Sequence, residues 1–267
     1  MNFKKNFEFQ TKRSCSQNTR IQNDAIENVA LPFVYALLSL KETIQYESVF
    51  QAVTTAAEEY NIQNCQPRKI LGDFELSIVN ACRRNHPTAI YTGCFFHFTQ
   101  NVYRHIQGSG LQANYADPTE REIKKYSHML MALAYVPIQD VQRVFRLLKN
   151  DDEIPETLSP VVKYIEETYV LGVPRRGNRR AVPPRYPIPL WNQYEASING
   201  EQKTNNCSEG WHNRFRLIVG KHHPDLYSFL TEIQKEQADT EIAITELSLG
   251  RVVKSALKKK NKTSVIF

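Results

Sequence analysis

Three observations make this chain an α/β protein. Apolar stretches at 31–40 (LPFVYALLSL), 68–74 (RKILGDF) and 89–93 (AIYTG) are too short for helices and read as buried strands. Each is followed by a segment of helical character, giving a β-α-β-α-β-α order. From Asp117 onward the pattern turns helical throughout, so a helical block interrupts the α/β core. Strands that alternate with helices imply a layered fold whose sheet is at least partly parallel.

Residues 1–28 are polar, rich in Asn, Gln and Lys, and carry no sustained period, so this terminal segment is expected to be disordered. Over 42–60, Tyr46, Val49, Phe50, Val53, Ala56, Ala57 and Tyr60 share one stripe, which predicts an amphipathic helix. A second helix is predicted over 75–86, where Pro87 restricts the exit. A third, CFFHFTQNVYRHIQ, places Phe98, Val102 and Ile106 on its apolar face. Helical stretches follow at about 118–135, 137–149 and 156–170, with Pro137 and Pro155 at start positions. The last helix is expected from about Pro224 to Leu249, with Leu226, Phe229, Leu230 and Ile233 as its stripe and Gly250 as its end. The organisation expected is a disordered 1–28, a domain over 29–250 with a helical insertion at about 117–190, and a tail over 251–267.

The 267 residues are 41% hydrophobic and 23% charged, as in an ordinary folded protein. No run of about 18 apolar residues is present, which excludes a spanning helix and removes a membrane from the expected partners. The opening stretch has basic residues but no apolar core, so it does not read as a secretory signal. Five scattered cysteines, an odd number, fit a reducing compartment better than a disulfide framework.

The net charge of +6 is unevenly placed. Residues 171–191 contain Arg175, Arg176, Arg179, Arg180 and Arg185 and no acid, and the tail, with Lys254, Lys258, Lys259 and Lys260, contains none either. The remainder is net acidic. Two such clusters suit a polyanion such as DNA, although solvated basic segments would have the same composition.

Several residues could carry chemistry. Asp73 ends a predicted strand, the edge where catalytic groups gather in open α/β sheets, though an Asp there also caps helices well. Cys94 and His97 have the spacing of half a zinc site. Cys82, His86, His105 or His212 would have to complete it, and nothing in the spacing selects them, so zinc is not expected. In NNCSEGWHNRF (205–215), Glu209 stands three residues after Asn206, the spacing of a capping box, which would equally fix a metal-binding carboxylate on a first helical turn. Trp211 and His212 beside it could pack or touch a substrate.

Taken together, "LPFVYALLSLKETIQYESVFQAV", "GDFELSIVNACRRNHPTAIYTGCFFHFTQNVYRHIQGSGL", "MALAYVPIQDVQRVF", "YPIPLWNQYEASINGEQKTNNCSEGWHNRF" and "HPDLYSFLTEIQKEQ" resemble, in order, the transposase domain of Mutator-like elements (MULE), over roughly residues 30–250. The resemblance implies an RNase H-like mixed sheet and a DDE-type site. Asp73 would be its second acid and Glu209 its third, with the family's Cys-x-x-His pair at Cys94 and His97. It further implies Mg²⁺ or Mn²⁺, because two-metal phosphodiester cleavage needs carboxylates converging on paired ions.

The family's first acid lies on a leading strand. The segment before residue 30 offers only Asp24 and reads as irregular, so that strand and its acid are expected to be missing and catalysis is not expected. The function expected is a nuclear, truncated, transposase-derived domain that binds DNA through residues 175–185 and the tail. The alternative is a protein-interaction module, or an inhibitor that pairs with a full-length relative or with itself through an open sheet edge.

Overall fold

A computed structural model describes residues 8–10, 31–32, 34–62, 66–175, 177, 180–204, 206–220 and 225–251, with the backbone alone at 8–10 and 206–209. The chain divides into two units: Phe9–Thr11 with Leu40–Asn205, and Met1–Glu8 with Lys12–Ser39 and Asn206–Phe267.

The larger unit is built on a β-α-β crossover. Strand β2 (Lys69–Gly72) pairs in parallel with β3 (Ile90–Gly93), in the register Ile70 to Tyr91 and Gly72 to Gly93. Parallel neighbours need a crossover, which α2 (Leu76–Asn85) supplies. Ile70, Leu71 and Tyr91 are buried. Helix α1 (Thr43–Glu59) packs on α2 and buries Tyr46, Phe50 and Ala57. The stripe foreseen for α1 is half right, because Ala56 and Tyr60 at its C-terminal end are exposed.

A third strand does exist, but not at 31–40. The described residues of that stretch are coil, with Leu37 48% and Leu40 56% exposed. Strand β1 (Glu8–Gln10) instead lies beside β2, giving the sheet order β1-β2-β3. It falls within the segment expected to be disordered. The apolar-polar alternation of Phe7, Glu8, Phe9 and Gln10 is a period-2 signal, outweighed in the sequence reading by the polar residues around it.

Helix α3 (Phe95–Gly108) leaves β3 and buries Phe98, Val102 and Ile106. The helical block follows as α4 (Gln112–Ala116), α5 (Arg121–Ala132), α6 (Val141–Lys149) and α7 (Ser159–Ile165), the last running into a π-helical turn at Glu166–Val170. That turn carries Tyr169 into the core, where it meets Phe98 edge-on at 5.0 Å. Trp191, at the end of α8 (Ile188–Trp191), stacks on Phe98 at 5.1 Å and donates its Nε1–H to the Tyr169 carbonyl at 3.0 Å. Such aromatic pairs add about 0.5–1.5 kcal/mol beyond the area they bury. Helix α9 (Tyr194–Ile198) completes this unit.

The smaller unit contains α10 (Asn206–Val219) and α11 (Leu226–Ser248). Asp225 caps α11 by accepting from the Ser228 amide at 2.9 Å. The stripe foreseen for α11 is corrected: Leu226 and Leu230 are exposed, whereas Glu236, Thr240 and Leu247 are buried. The polar residue Glu236 is buried because Trp211 Nε1 donates to it at 2.6 Å and the Arg214 guanidinium pairs with it.

Candidate functional site

Chain direction places Asp73 where β2 leaves the sheet, one residue beyond Gly72. The turn 72–75 is held from several sides. The Cys94 amide donates to the Gly72 carbonyl at 2.7 Å, which fixes the start of α3 against the end of β2. Tyr91 Oη donates to the Asp73 carbonyl at 2.7 Å, Tyr186 Oη to the Phe74 carbonyl at 2.8 Å, and Tyr46 Oη to Glu75 Oε1 at 2.8 Å. The Phe74 ring stands 5.1 Å from Tyr186 and 6.0 Å from Tyr169, both edge-on. Gly72 is required by close approach, since a Cβ there would meet the Tyr91 hydroxyl.

Asp73 is itself only 8% exposed. A buried carboxylate needs a compensating partner, and His97, three residues into the α3 end, supplies one: its Nδ1 lies 2.8 Å from Asp73 Oδ1. Burial alone would push the His97 pKa down. The hydrogen bonds to Asp73 and Cys94 outweigh it and lift the pKa to about 10, so the ring is an imidazolium at neutral pH. The Cys-x-x-His spacing thus has a physical meaning: it sets the Cys94 thiol against the imidazole that meets Asp73. Asp73, Cys94 and His97 are brought together.

The other histidines and cysteines named for zinc go elsewhere. His86 Nδ1 is 2.8 Å from Gln66 Oε1, His105 stacks on Tyr164 at 4.2 Å, and Cys82 is buried in α2, its thiol pushed up to about 12 by burial. Among the described residues no three His, Cys, Asp or Glu side chains are grouped so as to hold a metal ion. Asp73 offers one hard oxygen donor set against an imidazolium, and Glu75 already accepts from Tyr46. Asp73 and Glu75 are the described carboxylates of this turn.

Glu209 lies on the first turn of α10, its side chain outside the described residues. Trp211 stacks on Phe215 at 4.8 Å and approaches Tyr35 at 5.5 Å, while His212 sits 5.3 Å from the Trp211 ring. Trp211 is therefore engaged in packing its own unit.

The arginine-rich segment has a defined root. Val173 and Val182 pair as an antiparallel bridge, each amide donating to the other's carbonyl at 2.8 and 2.9 Å. Gly172, at φ +77°, makes the bend possible, because a Cβ would run into the Val182 carbonyl. The bridge closes a hairpin that presents exposed Arg175 and Arg180. Arg185 follows, its guanidinium 5.5 Å above the Tyr186 ring. Arg176, Arg179, Lys254, Lys258, Lys259 and Lys260 lie outside the described residues.

Sequence reasoning missed Tyr46, Tyr91, Tyr186 and Gln193, whose Nε2 donates to the Gly93 carbonyl at 2.8 Å. Tyr46 reads as a position of a helix stripe and Tyr91 as one of a strand, while Tyr186 lies in the Pro/Arg-rich segment. Only the hydroxyl partners, distant in sequence, reveal their task.

Residues 9–101 match the family model of the MULE transposase domain. No curated protein and no solved structure matches the chain. The match begins ahead of the residue-30 start read from the sequence and takes in part of β1. It ends within α3, before the helical block and the hairpin, so it covers the Asp73 turn together with Cys94 and His97.

Proposed function

Proceeding from a chain that carries a MULE transposase domain over residues 9–101, we propose a transposase-derived, DNA-binding domain of DDE type that acts in the nucleus. Asp73 is its second acid, on an RNase H-like core. Glu209 enters as the third acid through its motif alone. The observation that carries DNA binding is the bridged hairpin, which holds Arg175 and Arg180 in solvent near Arg185 on a net-acidic body. Arginine in this setting contacts phosphates whatever the base sequence.

In this reading the chain holds DNA without cutting it. Two-metal cleavage asks several carboxylates to converge on ions about 3.5–4 Å apart, and Asp73 here is the counter-ion of His97.

The test is fluorescence anisotropy with a labelled duplex. Three phosphate contacts predict an affinity loss of about 40-fold between 50 and 200 mM salt. Undetectable or salt-independent binding would refute the reading. Nicking of the duplex in Mn²⁺, abolished by Asp73→Asn, would overturn the inactive assignment and restore an enzyme.

A second reading, a protein-interaction module that pairs with its own kind, is favoured by the exposed apolar residues of α11. Tyr227 (83% exposed), Leu226, Leu230 and Ile242 lie open. A monomer by light scattering at high concentration would remove it.

A further inference from the structure

The acidic turn and the arginine hairpin are joined by one residue. Of the three tyrosine hydroxyls on the turn, Tyr46 comes from α1 and Tyr91 from β3. Tyr186 comes from the segment that leaves the hairpin.

Tyr186 is buried, and five contacts fix it. Its amide donates to the Thr168 carbonyl at 2.9 Å, and its ring packs against Phe74 and Tyr169 at 5.1 and 5.4 Å. Its hydroxyl reaches the Phe74 carbonyl at 2.8 Å, next to Asp73, while Arg185 covers its ring. Only Pro183, Pro184 and Arg185 separate it from the Val173–Val182 bridge. Proline fixes φ near −65°, so two in succession leave little slack between the bridge and Tyr186. Displacement of the hairpin root is therefore delivered to Tyr186, and through its hydroxyl to the Phe74–Glu75 peptide, one residue beyond Asp73.

We propose that Tyr186 is a positioning residue that couples the arginine hairpin to the Asp73 turn, so that a DNA phosphate held by Arg175, Arg180 and Arg185 sets the placement of Asp73. The inference rests on the DNA-binding reading above. Tight packing supports it, since rigid close-packed contacts transmit displacement and loose ones absorb it. A hydroxyl on a neighbouring carbonyl is also the kind of link that one atom's removal breaks. Tyr186→Phe keeps the ring, its aromatic contacts and the surface under Arg185, and removes only the donor to the Phe74 carbonyl.

The experiment titrates ¹⁵N-labelled full-length chain with a 16-base-pair duplex and follows amide shifts at Arg175 and Arg180 on one side, and at Gly72, Asp73, Phe74 and Glu75 on the other. In the unaltered chain both sets are expected to move together with one apparent Kd. In Tyr186→Phe the hairpin shifts and the Kd should stay within twofold, while the shifts at 72–75 shrink by more than half. Arg185→Gln, which leaves the hydroxyl in place, should keep most of the turn response and so marks the hydroxyl as the link. Should Tyr186→Phe fail to fold, Pro183→Gly/Pro184→Gly, which puts slack between the bridge and Tyr186, is expected to reduce the turn response in the same way. No shift at the hairpin of the unaltered chain would overturn the DNA reading and this inference with it. Hairpin shifts with a silent turn, or a turn response unchanged in the variant, would overturn the coupling alone.

Discussion

The turn at 72–75 and the hairpin at 173–182 belong to the same unit and are built in opposite ways. The turn is buried, and its peptide carbonyls and charged groups are met by tyrosine hydroxyls and an imidazolium. The hairpin has a bridge at its root, a glycine bend, and charges that face solvent. A buried acid needs partners that hold it in place. A phosphate clamp needs charge in water more than exact placement. Salt separates the two: exposed charges are screened beyond about 10 Å at 0.1 M ionic strength, whereas the buried Asp73–His97 contact is screened much less.

The comparison can be broken from the core outward. Trp191→Ala removes the ring that stacks on Phe98 and the Nε1–H donor to Tyr169. It should cost about 3–5 kcal/mol, read as a lower urea midpoint for the larger unit. Gly72→Ala drives a methyl into the Tyr91 hydroxyl and is expected to cost about 1–3 kcal/mol, measured the same way, with DNA affinity unchanged at matched folded fraction. Tyr91→Phe leaves the buried Asp73 carbonyl without its hydroxyl donor and should cost about 1 kcal/mol. Arg175→Gln and Arg180→Gln reverse the pattern. Stability should hold to within about 0.5 kcal/mol, while each weakens DNA binding across all sequences tested. A stability loss from either arginine change comparable to that of Gly72→Ala would erase the distinction between the two regions.

Much of this was legible before any coordinates. The strands at 69–72 and 90–93, the helices between and after them, and the placement of Asp73 at a strand end followed from periodicity and Pro87. The 31–40 stretch misled because an apolar run shows that burial is wanted, not which partner supplies it; Tyr35 finds Trp211 in the smaller unit, and the run stays coil. The β1 strand was overlooked because two phenylalanines among lysines and asparagines look like noise unless their alternation is weighed. In the site, the Cys94–His97 spacing was visible but its target was not. The His97 contact with Asp73 depends on how α3 docks against β2, which no local pattern encodes. The tyrosine hydroxyls were invisible for the same reason, Tyr186 lying 112 positions from the carbonyl it caps.

Whether the arginine hairpin holds DNA is decided by the salt slope of binding. Affinity for one duplex would be measured across a salt series for the unaltered chain and for Arg175→Gln/Arg180→Gln/Arg185→Gln. A log–log slope shallower by about 3 is expected in the triple variant, roughly one for each phosphate contact removed. A slope that stays the same would contradict it and place the DNA contacts elsewhere on the chain.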